Sequence, residues 1–404
     1  MTDGGPAVPT TWDQLRDRLS EPTFNSATRS RVGVWIANTL ELHLGTDWPE
    51  RASAASRLGS LMDLHRSNPA FFRHLTTALR LESVTTLKGR RPLLASLRRD
   101  FGAGTRDHVD VQLEIATLAM SCGWDVTCEE RVAPDAPPLD IVIKSAGTAL
   151  PVEVKVMLVS EQNRTIERES SYFDAIVFDL LARYDVILGG QLPGIPNELG
   201  RQAIQANVEP LAIAVQADHV SRTVSVGGVD LTVTWLGAVS DGVLSTMPGP
   251  IANDAARLPE KLTPKALQAT KSGARWLRLE LVSGYFQLSW WWAQPFPTQV
   301  DSIVADIVAA GRDSGFDGVV VSSGLVGPGR TIDETVTHSQ GAVGVRRQVN
   351  PFVSRTTVVT PLTPVGHAEV SSWVELYASE PQWLDGALSA QRLPSVTDIL
   401  RQGA

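Results

Sequence analysis

The sequence predicts an α/β protein in which an all-helical N-terminal domain precedes a mixed β-sheet flanked by helices. Apolar residues recur at helical spacing as far as residue 101, and strand-like alternation is absent there. After Gly102, several β-branched runs are bounded by glycine and proline. A hydrophobic content of 43% over 404 residues is enough for about two or three domains with their own cores. We therefore predict a helical domain over 1–104, an α/β core over 105–323 with a large insertion at about 191–260, and a C-terminal α/β region over 324–404.

The N-terminal domain is predicted from helical segments in series. Thr28 can cap a helix that runs to Leu44, and residues 51–65 and 69–81 show similar spacing. Residues 88–99 then carry five basic residues, among them Arg90 and Arg91. These cations either contact nucleic-acid phosphates or form an ordinary solvated helix face.

A helix over 105–122, ending at Gly123, is predicted to open the α/β core. Glu114 lies beside the apolar stripe of this helix, and a buried carboxylate is costly unless it is paired or bound to metal. Glu114 is therefore a candidate metal ligand, with a partner arginine or a position at the edge of the stripe as the alternatives. Asp110, which is more exposed on the helical wheel, is a reserve candidate.

The central prediction is a β-hairpin that follows a strand over 124–132 and a proline-rich loop over 134–138. Two β-branched runs, 141–143 and 152–156, flank the small residues 145–148. A turn centred on Ala146 and Gly147 pairs Asp140 with Glu153 and places Lys155 on the same strand face.

Two residues of this segment, Pro151 and Asp135, allow more than one interpretation of the strands and of the motif aspartate. Pro151 indicates either that the third strand begins there or that the hairpin is bulged, because proline is confined to strand starts, edges and bulges. Asp135 also follows a proline, but it lies in the loop and not on the strand. We therefore assign the strand aspartate to Asp140.

Two carboxylates and a lysine on one face suit phosphoryl chemistry. Closely opposed carboxylates can share a hard cation that completes its coordination with phosphate oxygens. A neighbouring lysine can orient an attacking water or offset charge on the phosphate. The alternative is a hairpin whose outward face simply carries charged residues.

The pattern resembles the PD-(D/E)xK nuclease superfamily, which has the restriction-endonuclease-like fold. Asp140 matches the Asp of that motif, Glu153 and Lys155 match its Glu-x-Lys, and the order of helix and three strands matches the core order of the family. The resemblance covers residues 107–190 and, more loosely, later segments. It implies a Mg²⁺- or Mn²⁺-dependent endonuclease acting on DNA, with Asp140, Glu153 and Lys155 as catalytic residues. The implied metal ligands are Glu114, Asp140, Glu153 and the carbonyl of Val154.

The resemblance also points to a helix with lysine and glutamine that precedes a strand. Thr263 and Pro264 are predicted to start such a helix, with Lys265 and Gln268 as substrate contacts. The gap from Glu-x-Lys is about a hundred residues here, far longer than is usual in the family. Solvent-facing helix positions are the alternative for both residues.

The remaining elements are predicted from local spacing. The expected helices are 160–183, 197–207, 300–312 and 369–377, and the expected strands are 184–188, 211–215, 275–282, 316–321 and 357–360. Residues 222–236 form a second predicted hairpin, turning at Gly227 and Gly228. Trp290–Trp292 suit either base stacking or burial in a core.

Composition narrows the function classes. The net charge of −8 gives no overall basic field, so a nucleic acid would have to meet a local basic surface. Two cysteines, Cys122 and Cys128, and the absence of a signal sequence or a long apolar run favour a reducing cytoplasm without membrane association. No GxxxxGK[ST], HExxH or Gly-x-Ser-x-Gly motif occurs, which argues against an ATP motor, a zinc protease and an α/β-hydrolase.

DNA is the expected partner, and RNA is a second candidate because nothing in the sequence reads a 2′-hydroxyl. A second copy of the chain and a partner protein stay open as further partners. The rival function is a catalytically inactive member of the same fold that binds nucleic acid or protein. A restriction or phage-defence role would suit a multidomain nuclease by analogy of fold.

Overall fold

The structure is a computed structural model that describes residues 11–20, 27–54, 68–99, 103–131, 135–145, 147–158, 184–192, 196–235, 245–246, 271–282, 296–326, 335–350 and 353–401. The predicted helix over 160–183, the segment with Lys265 and Gln268, and Trp290–Trp292 lie outside these residues. No helix in the described part of the chain is both long enough and apolar enough to span a membrane.

The chain divides into two compact units. The first comprises residues 1–158 and 255–404, and the second comprises residues 159–254. The predicted domain boundaries near 104 and 323 fall inside the first unit, and the predicted insertion at about 191–260 overlaps the second.

Helices form most of the described chain before residue 100 and flank the sheet after it. An isolated parallel bridge between Lys88 and Thr127 joins the two parts. The described helices are α1 (Trp12–Ser20), α2 (Ala27–Leu44), α3 (Trp48–Ala54), α4 (Asn68–Ser83), α5 (Arg90–Arg99), α6 (Ala103–Ser121), α7 (Glu198–Asp218), α8 (Phe296–Gly311), α9 (Pro364–Ala378), α10 (Glu380–Ala390) and α11 (Val396–Arg401).

An eight-stranded mixed sheet forms the centre of the first unit, so the predicted α/β class is confirmed. Its strand order is β1-β2-β3-β8-β9-β12-β11-β10. The β3–β8 and β8–β9 pairs are parallel, and the other pairs are antiparallel. The strands are β1 (Asp125–Glu130), β2 (Leu139–Ser145), β3 (Thr148–Leu158), β8 (Trp276–Val282), β9 (Gly318–Val326), β10 (Thr335–Ser339), β11 (Ala342–Asn350) and β12 (Val353–Pro361).

Both faces of this sheet are covered. Ile141, Val152 and Val154 pack in a first core with the N-terminal helices, α6 and the C-terminal helices. Leu277 and Leu279 pack in a second core with α8. The second core also contains Val142 and Met157, so the hairpin face predicted to carry the two carboxylates and the lysine is partly apolar and buried. Strand β3 is paired in parallel with β8, and parallel strands inside a sheet are normally buried on both faces, which explains the burial of Met157.

The β2–β3 hairpin has the predicted register. Ile141 pairs with Val152, Val142 with Pro151, and Ser145 with Thr148. The pairing runs through Pro151 without a register shift, and β3 begins at Thr148, so neither alternative for this proline applies. Gly147 adopts a φ of 86°, which a residue with a side chain rarely does.

The second unit contains a four-stranded sheet in the order β5-β6-β4-β7, with strands β4 (Val186–Leu192), β5 (Arg222–Val226), β6 (Val229–Trp235) and β7 (Ser245–Thr246). The hairpin that turns at Gly227 and Gly228 is formed as predicted. The predicted strand over 211–215 is wrong, because these residues belong to α7. Ile204, Val208, Ala212 and Val215 are buried at helical spacing, so the apolar run is the end of one long helix capped by Asn197.

Later elements follow the predictions with shifted ends. Residues 276–282 form β8, residues 296–311 form α8, and residues 364–378 form α9 behind an N-cap at Thr363. Strands β10 and β11 were not predicted. They lie beyond Gly324, where the sequence indicated only one strand and one helix.

Candidate functional site

The hairpin brings the predicted catalytic residues to one end of the β2–β3 pair. Continuing the observed register by one residue places Asp140 opposite Glu153, with Lys155 two residues further along β3. The side chain of Asp140 is 14% exposed, Glu153 is fully buried, and Lys155 is half-buried.

Glu153 and Lys155 point away from α6. Val152 and Val154 pack in the first core, so the alternating residues Glu153 and Lys155 lie on the opposite face of β3. Their register neighbours on β8 are Leu277 and Leu279, which belong to the second core.

Asp140, by contrast, turns toward β3 and α6. Its Oδ2 accepts a hydrogen bond of 2.6 Å from the backbone N–H of Val154, and its Oδ1 lies 3.2 Å from Nε2 of His108 on α6. Leu139 packs in the second core and Ile141 in the first, so the regular alternation of β2 is broken at Asp140. The carboxylate of Asp140 is therefore held near the sheet plane, on the side of α6, and the predicted common face of Asp140, Glu153 and Lys155 is not formed.

Two more polar side chains complete this cluster. Gln112, one turn after His108 on α6, donates 3.1 Å to the carbonyl of Asp140 and 3.2 Å to Oε1 of Glu129. Glu129 lies opposite Asp140 on β1 and has a φ of 55°, which is uncommon for a residue with a side chain. The pKa of Glu129 is raised, chiefly because the carboxyl group is buried. The hydrogen bond from Gln112 acts to lower this pKa, and the charge of Asp140 acts to raise it.

Glu114 does not join this group. Its carboxylate lies 2.8 Å from Nη1 of Arg355 and 3.5 Å from guanidinium nitrogens of Arg80 and Arg347. Arg278, in register with Val154 on the first face, lies 3.7 Å away. Burial alone raises the pKa of Glu114, but these guanidiniums outweigh it and lower the pKa to about 2.

We use the name arginine cluster for four arginines and three glutamates packed on the first face of the sheet. Its members are Arg80, Arg278, Arg347, Arg355, Glu114, Glu280 and Glu380. Because Glu114 belongs to this cluster and Glu153 lies on the opposite face, the predicted grouping of Glu114 with Asp140 and Glu153 is not formed. The reserve candidate, Asp110, is half-buried on α6.

The residues predicted to contact phosphate differ in how exposed they are. Arg90 is half-buried, and its Nη2 lies 2.8 Å from Nδ1 of His43 within the helical part of the chain. Arg91 is exposed and can meet solvent or a ligand. Lys265 and Gln268 lie outside the described residues.

The three predicted carboxylate ligands differ in their surroundings. Glu114 is neutralised by arginines, whereas Asp140 and Glu153 end the β2–β3 pair on opposite sides of it. Within the described ranges, no group of three or more His, Cys, Asp or Glu side chains could hold a metal ion. No family model, curated protein or solved structure matches the chain, so its own residues define the candidate site.

His108, Gln112 and Glu129 were not predicted as site residues. His108 and Gln112 are separated by four positions, a spacing that places them on one face of a helix. The sequence contains this signal, but only the packing of α6 shows that their face meets Asp140.

Proposed function

We propose that this protein is a metal-dependent nuclease that hydrolyses phosphodiester bonds of DNA at a site formed by Asp140, Glu153 and Lys155. The observation that supports the proposal is the register of the β2–β3 hairpin, whose last pair, Ile141 with Val152, stands next to Asp140 and Glu153. The order of α6 and the antiparallel strands β1, β2 and β3 also agrees with the PD-(D/E)xK resemblance.

Asp140, from the side of α6, and Glu153, from the opposite side of the β2–β3 pair, would hold a Mg²⁺ or Mn²⁺ ion at the end of the hairpin. The carbonyl of Val154 would be a further oxygen ligand, and Glu114 would not take part. Such an ion supplies positive charge to the phosphate and lowers the pKa of a bound water. The chain contributes preorganisation, because the N–H of Val154 and Nε2 of His108 hold the two oxygens of Asp140 in place.

Lys155 would supply the second positive charge of the site. It follows Glu153 by two residues on the same face of β3, so its ammonium group can reach a phosphate bound beside the two carboxylates. In that position it orients the attacking water or stabilises charge on the phosphate during bond cleavage.

Cleavage of supercoiled plasmid with Mg²⁺ or Mn²⁺ tests the proposal. Wild-type protein should nick the plasmid, and Glu153→Ala should lose roughly 100-fold or more of that activity. Because Glu153 is fully buried, Glu153→Gln provides a variant of matched volume in case the alanine variant unfolds. Equal nicking by wild type and Glu153→Gln would refute the assignment. An RNA substrate in parallel reactions decides between the two nucleic acids.

The complete burial of Glu153 favours a second candidate, a non-catalytic protein of the same architecture that binds nucleic acid or another protein. Calorimetry with Mn²⁺ separates the two candidates, because Mn²⁺ added to the non-catalytic protein would give no heat of binding. The non-catalytic protein would also bind DNA without cutting it. In either case, restriction or phage defence is the cellular setting that we propose by analogy of fold.

A further inference from the structure

Helix α6 reaches Asp140 through residues that the nuclease motif does not contain. Nε2 of His108 lies 3.2 Å from Oδ1 of Asp140, and Nε2 of Gln112 donates 3.1 Å to the carbonyl of the same residue. An ionised carboxylate only accepts hydrogen bonds, so Nε2 of His108 carries the proton in this contact. Asp140 is thus held by α6 through both its side chain and its main chain.

The second oxygen of Asp140 is held from β3. The N–H of Val154 donates to Oδ2 over 2.6 Å, and Val154 stands between Glu153 and Lys155 in the sequence. The position of the Asp140 carboxylate is therefore coupled to the backbone of β3 where the other two site residues lie. A contact that fixes Asp140 also fixes its position relative to Glu153 and Lys155.

The backbone around this contact shows strain. Glu129, opposite Asp140, has a φ of 55°, and its side chain accepts a hydrogen bond from Gln112. A non-glycine residue persists in the left-handed region only where its surroundings hold it there, and such residues cluster at functional sites. The irregularity of β1 and β2 turns Asp140 toward α6, which brings it within reach of His108.

We propose that His108 is a positioning residue of the site and that α6 supports the reaction through His108, whereas Glu114 belongs to the arginine cluster. The proposal rests on the nuclease function proposed above. His108 donates to Oδ1, Val154 donates to Oδ2, and together they hold the Asp140 carboxylate in one orientation. The side chain of His108 is only 28% exposed, so a replacement that tests its role has to keep its bulk.

A matched pair of variants tests this role. His108→Leu keeps the bulk of the side chain without a donor, and His108→Gln restores an amide N–H at the place of Nε2. His338→Ala, an exposed histidine on β10, is the control for loss of a histidine elsewhere. Two experiments are made on the full chain. One measures amide hydrogen exchange at Val154, and the other measures kcat and KM for plasmid nicking with Mn²⁺.

In His108→Leu, the amide hydrogen of Val154 should exchange roughly fivefold faster than in wild type. The reason is that a freely rotating Asp140 carboxylate accepts the hydrogen bond from the Val154 N–H less well. The kcat of this variant should fall roughly 10- to 100-fold with little change in KM, as for the loss of an outer-shell partner. His108→Gln should recover the exchange rate and the kcat of wild type, and His338→Ala should match wild type in both. Amides of β8 and β12 in the same samples report any general loss of stability.

Two results would overturn the proposal. One is unchanged exchange of the Val154 amide in His108→Leu, and the other is faster exchange together with a wild-type kcat. Failure of the nuclease function gives a different result, because wild type and Glu153→Gln would then act alike on the plasmid. The exchange of Val154 in the leucine and glutamine variants would in that case still decide whether His108 positions Asp140.

Discussion

Lys155 is the residue at which a catalytic role and a structural role make opposite predictions. It is half-buried on the face of β3 that carries Glu153, and it contributes no apolar side chain to either core. Lys155→Ala should lower the rate of plasmid cleavage roughly 100-fold or more, to the point of abolishing it, because the charge next to the phosphate is lost. Binding of Mn²⁺ should be unchanged or tighter, since a positive charge has left the surroundings of the ion. Cleavage assays and calorimetry measure the two effects.

Lys144 provides the matched control on the same hairpin. It is exposed near the turn, and Lys144→Ala should retain both cleavage and stability. If Lys155→Ala cleaves at the wild-type rate, or if it unfolds the protein, the lysine belongs to the scaffold and not to the reaction.

At the scale of elements, the segment that ends in Gly89 joins the helical part of the chain to the edge of the sheet. The carbonyl of Lys88 accepts a 2.9 Å hydrogen bond from the N–H of Cys128 on β1. Gly89 has a φ of 86°, and a Cβ atom there would lie 1.9 Å from the carbonyl oxygen of Cys128. Only glycine, which has no side chain, lets the two backbones approach this closely.

Gly89→Ala should therefore destabilise the protein by about 3 kcal/mol or more, because the segment must move away from β1. Gly123→Ala is the control: Gly123 has a φ of 75°, but its Cβ would meet nothing within 4 Å. That substitution should cost only the left-handed strain, about 1–2 kcal/mol. Urea unfolding measures both, and equal losses would show that the approach to Cys128 does not matter.

At the scale of the whole molecule, the arginine cluster connects parts of the chain that are far apart in sequence. Glu380 on α10 pairs with Arg80 on α4, 300 positions away, and also with Arg347 on β11. The cluster contains four guanidiniums and three carboxylates, so the removal of one carboxylate leaves buried positive charge without compensation.

Glu114→Gln should cost roughly 3–5 kcal/mol of stability at pH 7 for this reason. The folded pKa of Glu114, about 2, lies below its ordinary value of 4.5. Its stabilising contribution is therefore complete above pH 4.5 and is lost as the pH falls toward 2. The stability difference between wild type and Glu114→Gln should accordingly shrink between pH 5 and pH 3, as measured by urea unfolding at each pH.

Glu375→Gln is the matched control for this prediction. Glu375 is exposed on α9, outside the arginine cluster, and its replacement should change stability by less than about 0.5 kcal/mol at either pH. A stability difference for Glu114→Gln that does not change with pH would contradict the assigned role of its carboxylate.

Local rules were sufficient for many of the described elements and for the hairpin register, although strands β10 and β11 were not predicted. Two β-branched runs around a two-residue turn allow one pairing that keeps Ile141 and Val152 in the core, and the structure has that pairing. Local rules failed over 211–215, because a short apolar run suits a buried strand and the end of a helix equally well.

What the sequence by itself determined is therefore the class, the helical start of the chain and the register of the β2–β3 hairpin. The tertiary structure decided which groups surround these residues. Glu114 finds Arg347 across 233 positions, and Asp140 finds His108 through the packing of α6 on β2. The physical reason is that alternation and turn geometry act between near neighbours, whereas the partner of a buried charge is set by the packing of distant segments.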